Sequence, residues 1–220
     1  AYFSEMSGGE VNPTELVALF INQGATFAEG IQIAQNAIVG SCSILLLTDG
    51  GVYAARDKLG RTPIILGQKP GAYAATIESC ALPNLGYEPL RDLGPGEVVR
   101  MTPEGVEVLS LPGHRCQMCA FFWVYYGYPA STYQGINTEA ARYRSGAALA
   151  RRDATPVDVV AGIPDSGTAH AMGYAQERGV PFRRPFVKYT PTWSRSFMPQ
   201  DQLTRDLVAR MKIIPIRELI

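Results

Sequence analysis

The sequence predicts a chain of two modules, an α+β module followed by an α/β module. Two helical patterns precede a run of short strands in the first half, which is the order of an α+β fold. From about residue 115 strands and helices alternate, and such alternation predicts a parallel sheet. We place the boundary near Pro112, so that residues 1–112 form the first module and residues 113–220 form the second.

Two helices open the first module. Asn12 can cap a helix, Pro13 suits its first turn, and Glu15 stands where a capping box requires an acid. The apolar face of this helix is formed by Leu16, Leu19 and Phe20. A second helical pattern covers residues 27–39.

Short strands separated by turns follow these helices. Residues 43–48 and 52–56 flank Asp49-Gly50-Gly51, which has the composition of a hairpin turn. Further strands are predicted at residues 63–66, 73–77, 97–101 and 106–109. The first module is therefore expected to end in an antiparallel sheet.

The second module repeats a strand-then-helix order. A strand is predicted at residues 121–126, and a helix rich in Ala and Arg at residues 138–151. A fully buried strand follows at residues 157–163, and then a helix from Thr168 to about Glu177.

Composition and charge exclude several classes of protein. Twenty basic side chains balance twenty acidic ones, which argues against a broad surface for nucleic acid or anionic lipid. No stretch approaches the roughly 20 apolar residues that a membrane helix needs, and Ala1-Tyr2-Phe3 does not begin a signal peptide. Four cysteines at irregular spacing are too few for a disulfide framework. We therefore predict a cytoplasmic protein with no nucleic-acid or membrane partner.

The loop Asp165-Ser166-Gly167 joins a predicted strand to a predicted helix. In an open α/β sheet, ligands bind in the crevice at the carboxyl ends of the strands, where such a loop lies. Backbone N–H groups at the start of a helix favour an anion such as phosphate. The alternative is an ordinary turn in which Asp165 or Ser166 caps the helix. The loop lacks the Gly-Lys-Ser/Thr ending of a P-loop, so the local sequence by itself favours the ordinary turn.

Basic residues concentrate near the end of the sequence. This concentration contains Arg183, Arg184, Lys188, Arg195 and Arg205. Such groups recognise phosphate, although scattered cations also commonly form solvated surface.

Two cysteines form a C-x-x-C pair, Cys116 and Cys119. The pair is a weak metal signal, because a structural zinc ion needs four ligands and the other candidates are Cys42, Cys80 and His114. The alternative is that at least one of the two is an ordinary buried or exposed thiol. His170, in the first turn of its predicted helix, is interpreted as a surface residue rather than a catalyst.

Several motifs in collinear order resemble the amidophosphoribosyltransferase family. Residues 53–63 are similar to the family's A-R-D-x-x-G-x-R-P, residues 90–97 to its R-D-x-x-P-G-E, and residues 163–167 to its V-P-D-S-G. Shorter matches lie at residues 78–82, 119–131, 173–175 and 195–197. Because the matches keep the same order over nearly the whole chain, together they are more specific than any one motif.

This resemblance implies a fold and a reaction. Residues 1–112 would be the later part of a glutaminase domain with the αββα fold of N-terminal-nucleophile (Ntn) hydrolases. Residues 113–220 would begin a type I phosphoribosyltransferase domain with a Rossmann-like parallel sheet. In the family, ammonia from glutamine displaces pyrophosphate from phosphoribosylpyrophosphate (PRPP) to give phosphoribosylamine, the first step of de novo purine synthesis. Mg²⁺ accompanies PRPP, purine nucleotides inhibit, and the subunits form homo-oligomers.

The resemblance also assigns site residues. It implies that PRPP and nucleotides contact Asp165, Ser166, Gly167, Lys188 and Arg195. Some branches of the family carry a structural iron–sulfur cluster, and Cys119 matches the first of its ligands.

Departures from the family pattern suggest other functions. The family's nucleophile is an N-terminal Cys where this sequence has Ala1, so no catalytic residue is visible and the chain by itself is expected to be inactive. Pro13 stands at an acidic position, Phe122 replaces a Glu, and Tyr128 and Thr190 each replace an Arg. The alternatives are a non-catalytic paralogue that binds nucleotides or serves a structural role, and a phosphoribosyltransferase that uses only free ammonia.

Overall fold

Residues 12–189, Arg195 and residues 197–220 are described by the computed structural model, and they fall into two units. The first unit contains residues 12–120 and Ala130–Gly135, and the second contains Phe121–Pro129 and the described residues from Ile136 to Ile220. Ala1 and Thr190, which the sequence analysis singled out, lie outside the described residues. The assignment of the two predicted modules to named domains stays a prediction.

Helices α1 (Pro13–Ile21) and α2 (Phe27–Ala37) begin the first unit, as predicted. Asn12 caps α1, since its Oδ1 accepts a hydrogen bond from the Thr14 N–H at 2.9 Å. Thr26 caps α2 by accepting from the Glu29 N–H, and the Glu29 carboxylate accepts in return from the Ala25 N–H. Helix α2 ends before residue 39 because Ile38 has an extended backbone.

Two antiparallel sheets follow in the first unit. The strands are β1 (Ile44–Thr48), β2 (Gly51–Ala55), β3 (Ile65–Lys69), β4 (Ala72–Thr76), β5 (Glu88–Asp92), β6 (Val98–Thr102) and β7 (Gly105–Ser110). One sheet has the order β1-β2-β6-β7 and the other β4-β3-β5. Strand β5, which follows the short helix α3 (Ala81–Asn84), was not predicted because its side chains show no buried alternation. The unit also contains the short strand β8 (Thr132–Tyr133).

The larger sheet lies between two apolar cores. Ala55 and Val98 face α1 and α2, in a cluster that includes Ile31. Their neighbours Ala54 and Val99 face the smaller sheet, because successive side chains of a strand point to opposite faces. The first unit therefore has a helix layer and two sheet layers.

The second unit mixes short strands with three longer helices. Its elements are a π-helical segment (Phe122–Tyr126), β9 (Ile136–Asn137), α4 (Thr138–Ala150), β10 (Val160–Ala161), α5 (Thr168–Arg178), β11 (Phe182–Arg183), β12 (Phe186–Lys188), α6 (Gln202–Lys212), β13 (Ile213–Pro215) and a final 3₁₀ turn (Arg217–Leu219). Strands β10 and β11 pair in parallel, whereas β12 and β13 pair antiparallel. Among the described residues the sheets are thus mostly antiparallel, and the predicted parallel pairing holds for β10 and β11. No helix in these residues is long and apolar enough to cross a membrane.

The strand predicted at residues 121–126 was wrong, since this segment forms a π-helix. Arg142 of α4, only 3% exposed, donates to the carbonyl oxygens of Trp123, Tyr125 and Gly127 at 2.8–2.9 Å. These bonds satisfy carbonyls that a strand would present to a neighbouring strand. The periodicity of a short apolar run does not distinguish a strand from a helix. Here the helical conformation depends on Arg142, which is distant in sequence, so the local pattern could not predict it.

The fully buried strand predicted at residues 157–163 was also wrong in extent and burial. Only Val160–Ala161 is a strand, and the Val159 and Ile163 side chains are 39% and 59% exposed. In the described part of the chain β10 pairs with β11 alone, and such a short pairing leaves its flanks uncovered.

Helices α4 and α5 cross at two glycines, Gly146 and Gly173. A Cβ at Gly146 would lie 1.9 Å from the His170 carbonyl oxygen, and one at Gly173 would lie 2.1 Å from the Tyr143 carbonyl oxygen. Since real Cβ atoms do not approach oxygen this closely, the crossing requires glycine at both positions.

Gly146→Ala is expected to lower the free energy of unfolding by about 1–3 kcal/mol, because the two backbones must separate. In a free helix the same change would stabilise by about 1 kcal/mol, so the sign alone tests the crossing. Gly105→Ala is the control, since a Cβ there meets no atom within 4 Å. Thermal unfolding of both variants makes the comparison, and a stabilised Gly146→Ala protein would contradict the observed crossing.

Candidate functional site

The loop Asp165-Ser166-Gly167 leads directly into α5. The Thr168 N–H donates to the Asp165 carbonyl at 3.1 Å, and the Gly167 N–H donates to the Ile163 carbonyl at 3.0 Å. A Cβ at Gly167 would lie 2.8 Å from the Ile163 oxygen, so the turn itself requires glycine. Because Gly167 occupies the cap position, α5 begins without a side-chain cap. The first turn of such a helix directs its N–H groups toward the loop.

Lys188 pairs with the loop. Its Nζ lies 3.1 Å from Asp165 Oδ2, and the two side chains are 34% and 71% exposed. An exposed pair of this kind contributes little to stability, so either group can exchange its partner for a ligand. The structure therefore brings together two residues that the sequence analysis assigned to one site, although they are 23 positions apart.

The remaining basic residues behave differently from Lys188. Arg205 donates to the carbonyls of Pro199 and Gln200 and to the side chain of Gln202, so its guanidinium is committed to the start of α6. Arg195 is exposed, and its carbonyl accepts from the Met198 N–H at 3.1 Å. Arg183 and Arg184 are exposed too. Of the predicted cations, Lys188 is the one that contacts the loop in the described part of the chain.

The C-x-x-C pair does not form a chelating site. The Gln117 and Cys119 N–H groups donate to the carbonyls of Leu59 and Arg61, a spacing of two residues on both sides that indicates extended backbone. The Cys116 thiol lies 4.0 Å from the Gly60 carbonyl oxygen. Cys42, Cys80 and Cys116 are free thiols. Within the described residues no group of three or more His, Cys, Asp or Glu could hold a metal ion. The match of Cys119 to an iron–sulfur ligand stays a prediction.

The family-like motif at residues 53–63 is a buried network rather than a ligand site. Arg56, 1% exposed, donates to the carbonyls of Leu93 and Gly60 at 2.5 and 2.6 Å. Asp57, 2% exposed, accepts from three backbone N–H groups, those of Leu59, Arg61 and Thr62. Gly60 has φ +63°, a conformation that favours glycine. These residues hold the turn between β2 and β3.

The motif at residues 90–97 is structural as well. Arg91 makes two hydrogen bonds of 2.7 and 3.0 Å to the Glu97 carboxylate, which is nearly buried. The same carboxylate accepts from the Gly94 N–H at 2.7 Å. Glu97 therefore ties β5 to the turn before β6.

A polar cluster that the sequence analysis missed lies in the first unit. Glu78 Oε2 accepts from the Ser131 hydroxyl at 2.6 Å and from the Tyr133 hydroxyl at 2.7 Å. Burial, followed by the interaction with Glu78, raises the pKa of the Tyr133 phenol, which therefore remains a donor. The Thr132 N–H donates to Ser79 Oγ at 2.7 Å. These partners are 53 or more positions apart, so no local pattern could reveal them.

Comparison by sequence gives relatives but no matching family model. The chain is similar to the amidophosphoribosyltransferase of Archaeoglobus fulgidus, with 31% identity over 206 residues that cover 93% of this chain and 45% of the relative. The Bacillus subtilis amidophosphoribosyltransferase is 31% identical over 211 residues, covering 94% and 44%. The Mycobacterium tuberculosis protein of the same description is 34% identical over 181 residues, covering 82% and 34%.

Solved structures give the same relationship. The fold is similar to glutamine PRPP amidotransferase from B. subtilis complexed with ADP and GMP, with a TM-score of 0.82 and 28% identity over 97% of this chain and 48% of that chain. A structure described as the allosteric regulatory enzyme of purine biosynthesis also has a TM-score of 0.82 and 28% identity, over 100% and 48%. The chain thus spans about half the length of these structures. It is homologous to amidophosphoribosyltransferases over about half of their length, and the resemblance found in the sequence is confirmed.

Proposed function

We propose that this chain, as a homologue of half of an amidophosphoribosyltransferase, contributes the PRPP-binding loop of an enzyme that makes phosphoribosylamine. In this proposal residues 1–112 belong to the glutaminase domain of Ntn-hydrolase type, and residues 113–220 begin the type I phosphoribosyltransferase domain. Glutamine supplies ammonia, and ammonia displaces pyrophosphate from PRPP. Purine nucleotides regulate the reaction, which agrees with the ADP and GMP bound to the B. subtilis relative.

The observation that carries this proposal is the contact between Lys188 and Asp165 in front of α5. Pyrophosphate bears several negative charges, and the Lys188 ammonium can leave Asp165 to pair with it. The Ser166 hydroxyl and the N–H groups that follow Thr168 in the first turn of α5 add donors for the same anion, whereas the Thr168 N–H already bonds the Asp165 carbonyl. Mg²⁺ arrives with PRPP as part of the substrate, and the exposed Asp165 carboxylate is the oxygen ligand that Mg²⁺ prefers.

Pyrophosphate release from PRPP by the full-length enzyme to which this chain contributes tests the reaction directly, since the chain by itself is expected to be inactive. Release with both glutamine and ammonia is the expected result for the enzyme. Release with ammonia alone would indicate the transferase that lacks glutaminase activity. Tight binding of purine nucleotides without release would instead indicate the non-catalytic paralogue, and no binding or release would contradict the proposal.

Lys188→Met tests the role of the loop. The substitution is expected to raise the Kd for PRPP with Mg²⁺ by about tenfold or more, because a charge-assisted hydrogen bond contributes roughly 1.5–3 kcal/mol. Arg152→Met is the control, since it removes an exposed cation elsewhere in the same unit. Isothermal titration calorimetry with PRPP and with inorganic pyrophosphate measures both variants. Equal affinities of the two variants for PRPP and pyrophosphate would show that Lys188 does not contact the ligand.

A further inference from the structure

His170 connects the first turn of α5 to the π-helical segment. Its Nε2 lies 3.1 Å from the Val124 carbonyl oxygen. Because a carbonyl can only accept, Nε2 carries the hydrogen in this contact. The sequence interpretation of His170 as a surface residue was thus incomplete, since the ring is partly buried and bonded.

The backbone of His170 is held from the opposite side. Its carbonyl oxygen lies against Gly146 of α4, at the close helix crossing. Helix α4 in turn holds the π-helical segment, because Arg142 donates to carbonyl oxygens on both sides of Val124. The segment is therefore fixed by one side chain from each helix. A displacement of the segment would act on α5 through the His170 ring.

We infer that His170 is a positioning residue that couples the π-helical segment to the loop Asp165-Ser166-Gly167. The inference rests on the proposed role of that loop in anion binding. His170 stands three positions after Gly167, on the turn whose N–H groups face the loop. Because the His170 ring is held by Val124, the N–H groups of this first turn keep their direction before a ligand binds. In the opposite direction, an anion bound at the loop changes the surroundings of Trp123, the residue before Val124.

Hydrogen–deuterium exchange tests the coupling without any ligand. His170→Ala removes the donor to Val124, and we expect the amides of residues 167–171 and 122–127 to exchange about fivefold faster. His170→Gln keeps an N–H donor and is expected to restore slow exchange in both segments. His114→Ala, which replaces the other histidine at an exposed position, is the control. If His170→Ala leaves exchange at residues 167–171 unchanged, the coupling is refuted, whatever the ligand of the loop.

Tryptophan fluorescence tests the same coupling with a ligand. The sequence contains two tryptophans, so Trp193→Phe leaves Trp123 as the reporter. Titration with inorganic pyrophosphate and Mg²⁺ is expected to change Trp123 emission in this background. His170→Ala should abolish the change and raise the Kd about fivefold, and His170→Gln should restore both. Equal binding and equal emission in all variants would overturn the inference. A failure of pyrophosphate to bind even the parent protein, with the exchange result intact, would count against the proposed function instead.

Discussion

Arg142→Met is expected to lower the free energy of unfolding by roughly 3–5 kcal/mol, the cost of removing one partner from a buried charged network. The guanidinium is buried, and it donates to three carbonyl oxygens of residues 123–127. Methionine fills similar space but has no donor, so these carbonyls would lose the hydrogen bonds that Arg142 makes to them. The π-helical segment is expected to lose its conformation first.

Arg144→Met provides the matched control on the same helix. Arg144 is exposed, and its replacement is expected to change stability by less than about 0.5 kcal/mol. Urea denaturation followed by fluorescence gives the free energies, and near-ultraviolet circular dichroism reports the aromatic residues of the segment. Similar free energies for the two variants would show that Arg142 does not hold the segment.

Asp57→Ala is expected to have an effect of similar size, about 3–5 kcal/mol, in the first unit. The Asp57 carboxylate accepts from three backbone N–H groups in the turn before β3. Alanine would leave these part-buried donors without the carboxylate that accepts from them. Because Asp57→Asn replaces one of the two acceptor oxygens by an NH2 group, which cannot accept, we also expect it to restore the turn only in part.

The control for this prediction is Asp49→Ala, at an exposed turn of the same unit. It is expected to be nearly neutral, whereas Asp57→Ala should shift the urea midpoint strongly. A small effect of Asp57→Ala would mean that the motif at residues 53–63 is kept for a ligand rather than for the fold.

The family-like motifs differ in whether their side chains are buried or exposed. The motifs at residues 53–63 and 90–97 match the relatives through buried side chains, so they are evidence for a shared fold. The motif at residues 163–167 is different, because the Asp165 side chain is exposed and pairs with a cation that can move, Lys188. A function that depends on PRPP is therefore tested at the loop and not at the better matched turns.

Local features of the structure were determined by the sequence itself. The cap of α1 at Asn12, the hairpin between β1 and β2, and the loop before α5 all depend on neighbouring residues. Their geometry follows from side chains and backbone groups within a few positions, which is why composition and spacing predict them.

Tertiary structure alone decided the features that depend on distant partners. The π-helical segment is held by Arg142 and His170, although its apolar sequence suits a strand equally well. The pairing of Asp165 with Lys188 required β12 to lie beside the loop, and the Glu78 cluster required β8 to return to the end of β4. Hydrogen bonds between groups so far apart in sequence form only when the chain has folded. Bringing such groups together costs conformational entropy, and burial of the surrounding apolar core offsets that cost.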